Sequence, residues 1–324
     1  MASILASEYN NLRSRLVAVM VGEYNQPINA TTDVVGDYIT NTTSTDIIEA
    51  DQWNRLYIDM IRARVHQDAT FVQQPLWIPS VDRVAQVNLT YLQNLMTDIE
   101  TNNRVLDVVN QASINVVNTE TFSNWNGTQT ASINVQFFNA LERQYYFNTG
   151  SQIRISISND YVGTASKTNE WKSMFSQMGN IIFDYTQTYS QNNSGTGSLT
   201  GNDDLTTTDE TVYLKTASTY SGNEIRILAS RNPTGNEVDI FVRLSDFDNP
   251  PGDGIDENVL GNTVITFELV RADGTVLIAG TNYSTVIAPA PTVNGSVIGQ
   301  PTPTYSLLGP SEIDEGSTAS YTVS

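Results

Sequence analysis

The sequence of 324 residues contains no cysteine, a single histidine and only three lysines. The absence of cysteine excludes disulfide bonds and thiolate metal ligands. Nucleophilic systems of the Ser-His and Cys-His types each need a histidine, and zinc sites built from imidazole need several. The one histidine, His66, comes at the end of a predicted helix, and we expect a structural role in which an imidazolium interacts favourably with the helix dipole.

Basic charge is also scarce, because 16 lysine and arginine residues stand against 35 acidic residues, for a net charge of −19. A nucleic-acid binder needs a positive surface that displaces counterions from phosphates, and no stretch of this chain offers one. No apolar run approaches the roughly 20 residues of a membrane-spanning helix. We therefore expect neither a nucleic-acid partner nor a membrane partner. The first residues also lack the basic and apolar regions of a secretory signal.

Residues 1–110 are predicted to form a helical domain, because their apolar residues recur at helical spacing. The pattern is clearest in the second of three predicted helices, over about 51–67, and the third is expected at about 81–104. The first two helices open with the same phrase, at 6–12 and 50–56: alanine, a capping residue, Glu or Gln, an aromatic residue, Asn, any residue and Leu. This repetition predicts a duplicated helical unit.

After the helical segment the apolar period changes from 3.6 to 2, as a half-buried strand requires. Residues 131–137, for example, alternate strictly between apolar and polar side chains. One helix, capped by Thr168, interrupts the strands, and the dipeptide Asp273-Gly274 predicts a two-residue hairpin turn. Many short strands with turns between them predict an antiparallel β-sandwich over residues 111–287.

Five prolines in a background of Thr, Gly and Ser predict an extended linker over residues 288–310. Residues 311–324 show a turn followed by alternating apolar and polar residues, which predicts the first strand of a further Ig-like domain. Because one strand cannot bury its own apolar face, we expect further strands beside it. The segments together predict an α+β fold, with an N-terminal helical domain, an antiparallel β-sandwich and then the start of an Ig-like β-domain.

Hydrolysis by a pair of carboxylates needs no histidine, so the acidic residues need separate consideration. Four of them lie in or beside a polar loop predicted at 191–209, where acidic side chains are normally solvated. No phosphate-binding glycine motif occurs in the sequence. We therefore predict a protein that has no catalytic residues and is not an enzyme. The four acidic residues are Asp203, Asp204, Asp209 and Glu210.

A second acidic segment, residues 246–257, contains five acidic residues, two glycines and two prolines in twelve positions. Oxygen-rich, tightly turning loops bind Ca²⁺, although the prolines and the missing flanking helices depart from the EF-hand pattern. The alternative is an acidic loop without a metal ion. Apart from this calcium ion, no cofactor is predicted. The candidate calcium ligands are Asp246, Asp248, Asp253, Asp256 and Glu257.

Three phrases of the sequence are distinctive: residues 6–13, residues 50–56 with 63–67, and residues 143–154 with the helix around Trp171. These phrases, which together span roughly residues 1–180, resemble virion structural proteins of tailed phages that infect marine cyanobacteria and related hosts. In addition, the Asp-Glu-Gly phrase at 314–316 is similar to the start of the tandem Ig-like repeats of such proteins. None of these phrases is associated with known catalytic chemistry.

The resemblance implies a structural component of a virion, a fibre-like appendage attached to the tail or neck by its N-terminal domain and displaying β-domains outward. It implies other virion proteins as partners of residues 1–110, and a homo-oligomer, with a trimer favoured. Host-surface glycan is a further candidate ligand. A tailspike-type glycan depolymerase and a head-decorating fibre stay open as alternatives. A bacterial surface adhesin is disfavoured by the missing secretory signal.

Overall fold

A computed structural model describes residues 6–28, 48, 50–77, 86–247 and 257–296 of the chain. These residues form an N-terminal layer of helices and a sandwich of two antiparallel β-sheets, so the predicted α+β class is confirmed. Among them, no helix is both long enough and apolar enough to cross a lipid bilayer.

The described helices of the N-terminal layer are α1 (Ala6–Val17), α2 (Ala50–Gln67) and α3 (Gln86–Thr101). The two repeated phrases begin α1 and α2. Their aromatic residues, Tyr9 and Trp53, are both buried and meet edge to face, with ring centroids 5.1 Å apart. The equivalent positions of the two phrases therefore pack against each other in one core, as a duplicated unit predicts.

The sandwich consists of strands and two helices, whose bounds within the described residues are β1 (Gln111–Trp125), β2 (Gly127–Gln136), α4 (Ala140–Asn148), β3 (Gln152–Asn159), α5 (Ser166–Met178), β4 (Ile181–Phe183), β5 (Thr188–Ser190), β6 (Thr196–Gly197), β7 (Glu210–Thr216), β8 (Glu224–Arg231), β9 (Glu237–Asp246), β10 (Val259–Ile278), β11 (Thr281–Ile287) and β12 (Thr292–Ser296). One sheet has the order β1-β10-β3-β4-β5, with β11 also paired to β10, and the other has the order β12-β2-β9-β8-β7-β6. Alternate residues of both sheets point into a common core, which also contains Trp171 and Phe175 of α5.

Strand β10 defines the long axis of the sandwich. It starts at Val259, directly after the acidic segment, and ends at Ile278, which is buried in the core of the helical layer. At about 3.3 Å per residue, its 20 residues span roughly 60 Å of extended chain. The sandwich therefore has a helical end, where α1 to α3 cover the β10–β11 hairpin, and a loop end. The loop end is formed by the segments 160–165 and 217–223 and by the described residues on either side of the acidic segment, Phe247 and Glu257.

The sandwich continues past residue 287, because Thr292–Ser296 forms β12 and pairs with β2. This strand lies inside the segment 288–310, for which a linker is predicted, so the described part of that segment belongs to a sheet. β12 runs antiparallel to β2, from a partner at Gln136 towards a partner at Ser132. The chain thus leaves β12 in the direction of the loop end. The predicted Ig-like strand at 311–324 lies outside the described residues.

The prediction of a hairpin turn at Asp273-Gly274 is wrong, because β10 continues through these residues. Gly274 instead allows Asn110 to approach the strand closely, because a Cβ on Gly274 would lie 2.1 Å from Oδ1 of Asn110. The turn itself is at Ala279-Gly280, where φ is 47° and 84°. Two consecutive residues with positive φ match the twist of the flanking strands.

Thr168 does not cap α5, which begins at Ser166. The Thr168 side chain is fully buried, and its hydroxyl oxygen accepts a hydrogen bond from the backbone N–H of Leu260 at 3.0 Å. The residue therefore ties α5 to the start of β10.

Candidate functional site

The helical layer and the sandwich share a hydrophobic core at the β10–β11 hairpin. Ile278 and Val286 of the hairpin are buried among residues of α1, α2 and α3. Burial of one aliphatic side chain contributes about 1.5–3 kcal/mol. Hydrogen bonds add to this contact, since the side-chain amide of Gln73 donates to the carbonyl oxygen of Leu277 at 2.9 Å. The N-terminal helices are thus joined to the sandwich by packing as well as by the chain.

A buried ion pair on α2 lies in this junction. Nη1 of Arg62 is 2.6 Å from Oδ1 of Asp59, and both side chains are almost fully buried. Nε of Arg62 also donates to the carbonyl oxygen of Ser284 at 2.7 Å, which connects α2 to β11. Burial raises the pKa of Asp59 to about 6, against the opposing effect of Arg62. The second carboxylate oxygen of Asp59 has no hydrogen-bond partner among the described residues, which is consistent with a raised pKa.

His66, near the end of α2, is also part of the junction. Its side chain is fully buried, and burial lowers its pKa to about 4, so the ring is neutral at pH 7. The prediction of a charged imidazolium at His66 is therefore wrong, because the surrounding protein excludes the water that a charged ring needs. The ring packs edge to face against Tyr24, with centroids 5.4 Å apart, and the backbone carbonyl of His66 accepts from the N–H of Asp107 at 3.0 Å. His66 therefore has a structural role, as expected, but its ring is neutral.

Further contacts join the helical layer to the sandwich beside the hairpin. The guanidinium of Arg104 lies over the ring of Tyr185, 3.7 Å from its centroid. The side-chain amide of Asn148 donates to the carbonyl oxygen of Glu23 at 3.1 Å. Gly150 has φ +75°, and a Cβ there would lie 2.8 Å from the carbonyl oxygen of Arg104, so only glycine permits this approach.

At the loop end, a buried lysine closes the base of the acidic segment. Lys167 of α5 and Asp246 of β9 have fully buried side chains, and Nζ lies 2.9 Å from Oδ2. The same ammonium donates to the carbonyl oxygen of Glu257 at 2.8 Å. The indole N–H of Trp171 points at Oδ1 of Asp246, at 3.4 Å. Lys167 therefore holds the first and last residues of the acidic segment together.

A neighbouring segment of the loop end is ordered by Glu170, also on α5. Its carboxylate accepts hydrogen bonds from the backbone N–H groups of Ser218, Thr219 and Tyr220 at 2.6–3.1 Å. Three donors on one carboxylate fix the turn between β7 and β8 against the helix. α5 also contacts the segment 160–165, because the side-chain amide of Asn169 donates to the carbonyl oxygen of Gly163 at 3.1 Å. The helix therefore contacts all three parts of the loop end.

The structure places two of the five predicted calcium ligands. The carboxylate of Asp246 is buried against Lys167, whereas Glu257 is exposed. Asp248, Asp253 and Asp256 lie outside the described residues. Within the described ranges, no group of three or more His, Cys, Asp or Glu residues is arranged to hold a metal ion. The calcium site stays a prediction, in which a bond from Asp246 to the metal competes with its ion pair to Lys167.

The calcium hypothesis predicts that Ca²⁺ stabilises the folded chain by mass action, by about 2.7 kcal/mol at a free concentration one hundred times the Kd. Thermal melting with Ca²⁺ and with a chelator measures this effect. Asp253→Asn is expected to remove the stabilisation, whereas Asp204→Asn, at an exposed carboxylate elsewhere, is expected to leave it intact. An identical melting temperature with Ca²⁺ and with chelator contradicts the hypothesis.

The four carboxylates considered for hydrolysis make separate contacts on the surface of the sandwich. A catalytic pair has to face one scissile bond from two sides, with its carboxyl groups about 5–10 Å apart. Three of the four accept a hydrogen bond from a nearby hydroxyl group, and three of the four are exposed. The contacts are Tyr185 to Asp203 at 2.7 Å, Ser230 to Asp209 at 2.7 Å and Thr206 to Glu210. The exposed residues are Asp203, Asp204 and Asp209.

Two of the buried basic residues, Arg62 and Lys167, were not predicted from the sequence, although the sequence carries a signal for each. Arg62 follows Asp59 by three residues, the spacing at which opposite charges meet on one helical face. Lys167 precedes Trp171 by four residues, so it lies on the same face as the apolar stripe of α5. A charged residue on an apolar face predicts a buried partner, and both residues have one.

A scan against protein-family models, a search of curated proteins and a search of solved structures each found no match for this chain. The function proposed below therefore rests on the geometry of the two ends and on the sequence resemblance.

Proposed function

We propose that the protein is a structural component of a tailed-phage virion, a fibre-like appendage attached to the tail or neck by its helical end. In this proposal the loop end faces outward, and the helical layer binds other virion proteins. The class of protein is supported by the resemblance to virion structural proteins of residues 6–13, 50–56 with 63–67, and 143–154 with the helix around Trp171.

The observation that carries the proposal is the separation of the two ends along β10. A single strand of 20 residues connects the helical core, through Ile278, to the acidic segment that precedes Val259. The helices are fixed to this strand by the shared core and by Arg62, so a force on the helical end is transmitted directly into the sheet. An appendage needs this arrangement, with attachment at one end and display at the other.

The direction of β12 agrees with this polarity. The strand runs from the partner of Gln136 towards the partner of Ser132, and β2 itself begins at Gly127, the partner of Asp246. β12 therefore runs away from the helical end. Any β-domain that follows is carried outward under the proposed attachment.

The natural absence of cysteine allows the polarity to be tested on intact particles. Single cysteines are introduced by Val72→Cys and Val87→Cys in the helical layer and by Val162→Cys at the loop end, all at exposed positions. We expect Val162→Cys to react with a maleimide equally fast in intact and dissociated particles. At least one of the two helical-layer positions is expected to react at least tenfold more slowly in intact particles.

The isolated protein provides the control for these labelling rates, because all three positions are expected to react rapidly in it. Full reactivity of both helical-layer positions in intact particles, together with protection of Val162→Cys, contradicts attachment by the helical end. Absence of the protein from purified particles contradicts the virion assignment itself.

The proposal includes a homo-oligomer, with a trimer favoured because closed symmetry is usual for such appendages. Light scattering of the purified protein tests this point against the 35.7 kDa mass of one chain. Host-surface glycan is the proposed ligand class of the outward end, and binding to purified host glycan tests it without affecting the structural assignment.

A further inference from the structure

The buried pair of Lys167 and Asp246 combines a nucleophile with a carboxyl group at contact distance. Nζ and Oδ2 are 2.9 Å apart, and neither side chain is exposed to solvent. The pair of Arg62 and Asp59 is also buried, but a guanidinium stays protonated and is not a nucleophile. A lysine, in contrast, becomes a nucleophilic amine once it loses one proton.

The surroundings of the pair favour that neutral form. Trp171 is fully buried beside Asp246, and Trp125 packs edge to face on Trp171 with ring centroids 5.0 Å apart. Removing two charges from water is costly in such an apolar environment, so transfer of a proton from the ammonium to the carboxylate is favoured relative to water. The products of this transfer are an amine and a carboxylic acid in contact.

We infer that Lys167 and Asp246 are joined by an intramolecular amide bond that forms after folding. The lone pair of Nζ attacks Cγ of Asp246, and a C–N bond forms. The C–O bond to the protonated oxygen then breaks, and the hydroxyl group leaves as water with a second proton from Nζ. The balance is one ammonium and one carboxylate giving one amide and one water, so neither an oxidant nor a reductant is needed.

Two further groups are placed to assist this reaction. The indole N–H of Trp171 points at Oδ1, where negative charge develops when Nζ attacks. The carbonyl oxygen of Glu257 accepts a hydrogen bond from Nζ at 2.8 Å and holds the amine in place. The two reacting groups are held in contact, and the high effective concentration that results lowers the barrier of a reaction that occurs once per chain.

The bond has a structural consequence that does not depend on the proposed function. It links α5 covalently to the last residue of β9, at the base of the acidic segment. The loop end would then resist local unfolding, since α5 and the end of β9 could not separate there.

Mass spectrometry of the full-length folded protein tests the inference. We expect an intact mass lower than the sequence mass by one water molecule. Trypsin is expected to release residues 155–172 linked to residues 244–271, because amide formation blocks cleavage after Lys167. Recovery of the intact sequence mass, with separate peptides ending at Lys167 and containing Asp246, overturns the inference.

Two variants localise the mass loss. Lys167→Arg is expected to have the full mass of its sequence, because the guanidinium cannot form the amide. Lys172→Arg is the matched control on the same helix and is expected to keep the mass loss, since Lys172 donates to the backbone of Tyr161 instead. If Lys167→Arg does not fold, the peptide map of the unaltered protein still decides the question. A mass loss that persists in folded Lys167→Arg contradicts the assignment to this pair.

Discussion

Replacing Arg62 by methionine is expected to lower the free energy of unfolding by about 3–5 kcal/mol, because it leaves the buried carboxylate of Asp59 without its partner. The variant also loses the hydrogen bond from Arg62 to the carbonyl oxygen of Ser284, which joins the helical layer to β11. Chemical denaturation at pH 7 measures the change. A large loss shows that the ion pair holds the junction together.

Arg64→Met is the matched control for this experiment. Arg64 lies on the same helix and pairs with Asp68 at 2.8 Å, but both side chains are partly exposed. Partly exposed pairs of this kind contribute about 0–1 kcal/mol. The double variant Asp59→Leu with Arg62→Met is expected to regain most of the stability, because it removes both buried charges. A loss for Arg62→Met no larger than that for Arg64→Met contradicts the importance of the buried pair.

His66 is expected to make the junction sensitive to acid. Its pKa falls from 6.5 to about 4 on folding, so the unfolded chain binds more protons between these two pH values. At about 1.4 kcal/mol per pH unit, about 3 kcal/mol of stability is present above pH 6.5 and is lost as the pH falls to 4. His66→Leu removes the titrating group, so its stability relative to the unaltered protein should rise by this amount between pH 7 and pH 4.

The quantity to compare is the difference in the free energy of unfolding between His66→Leu and the unaltered protein, because Asp59 titrates in the opposite sense to His66. Its pKa is raised from 3.8 to about 6, so the folded chain binds more protons between these values and gains stability as the pH falls. This contribution is common to both proteins and cancels in the difference. A difference that does not change between pH 7 and pH 4 shows that His66 is not buried as described.

The period of the apolar residues predicted the architecture well. The alternation at 131–137 became β2, and the stripe at 51–67 became α2, because a half-buried strand and an amphipathic helix each impose one period on the chain. The repeated phrase predicted a duplicated helical unit, and its equivalent aromatic residues, Tyr9 and Trp53, meet in one core. These features depend on short stretches of sequence, which is why they are visible without a structure.

Features that depend on distant contacts were not predictable in the same way. Asp273-Gly274 has the composition of a turn, but its glycine is required because Asn110 approaches from a different part of the chain. The segment predicted as a flexible polar loop contains Asn202, which is buried because it accepts a hydrogen bond from Arg143 at 2.7 Å. In each case the partner lies far away in sequence, so local composition alone suggests a different role.

In the candidate site, too, local sequence predicted some features, whereas others depend on distant contacts. The acidic composition of 246–257 drew attention to the loop end, but composition does not show that Asp246 faces inward to Lys167. The charge state of His66 was also wrong, because a position at a helix end does not reveal whether the ring is exposed to water or buried against Tyr24. Both residues were identified from the sequence, while their electrostatic environment came from the fold.

Reconstruction of the intact particle by electron cryomicroscopy tests the central claim most directly. The sandwich, with β10 along its length and α1 to α3 at one end, is an asymmetric shape that can be oriented in density. The account predicts that this chain is found on the tail or neck, with the helical layer against other virion proteins and the loop end pointing into solvent. Density that places the loop end against the particle and the helical layer in solvent would contradict it.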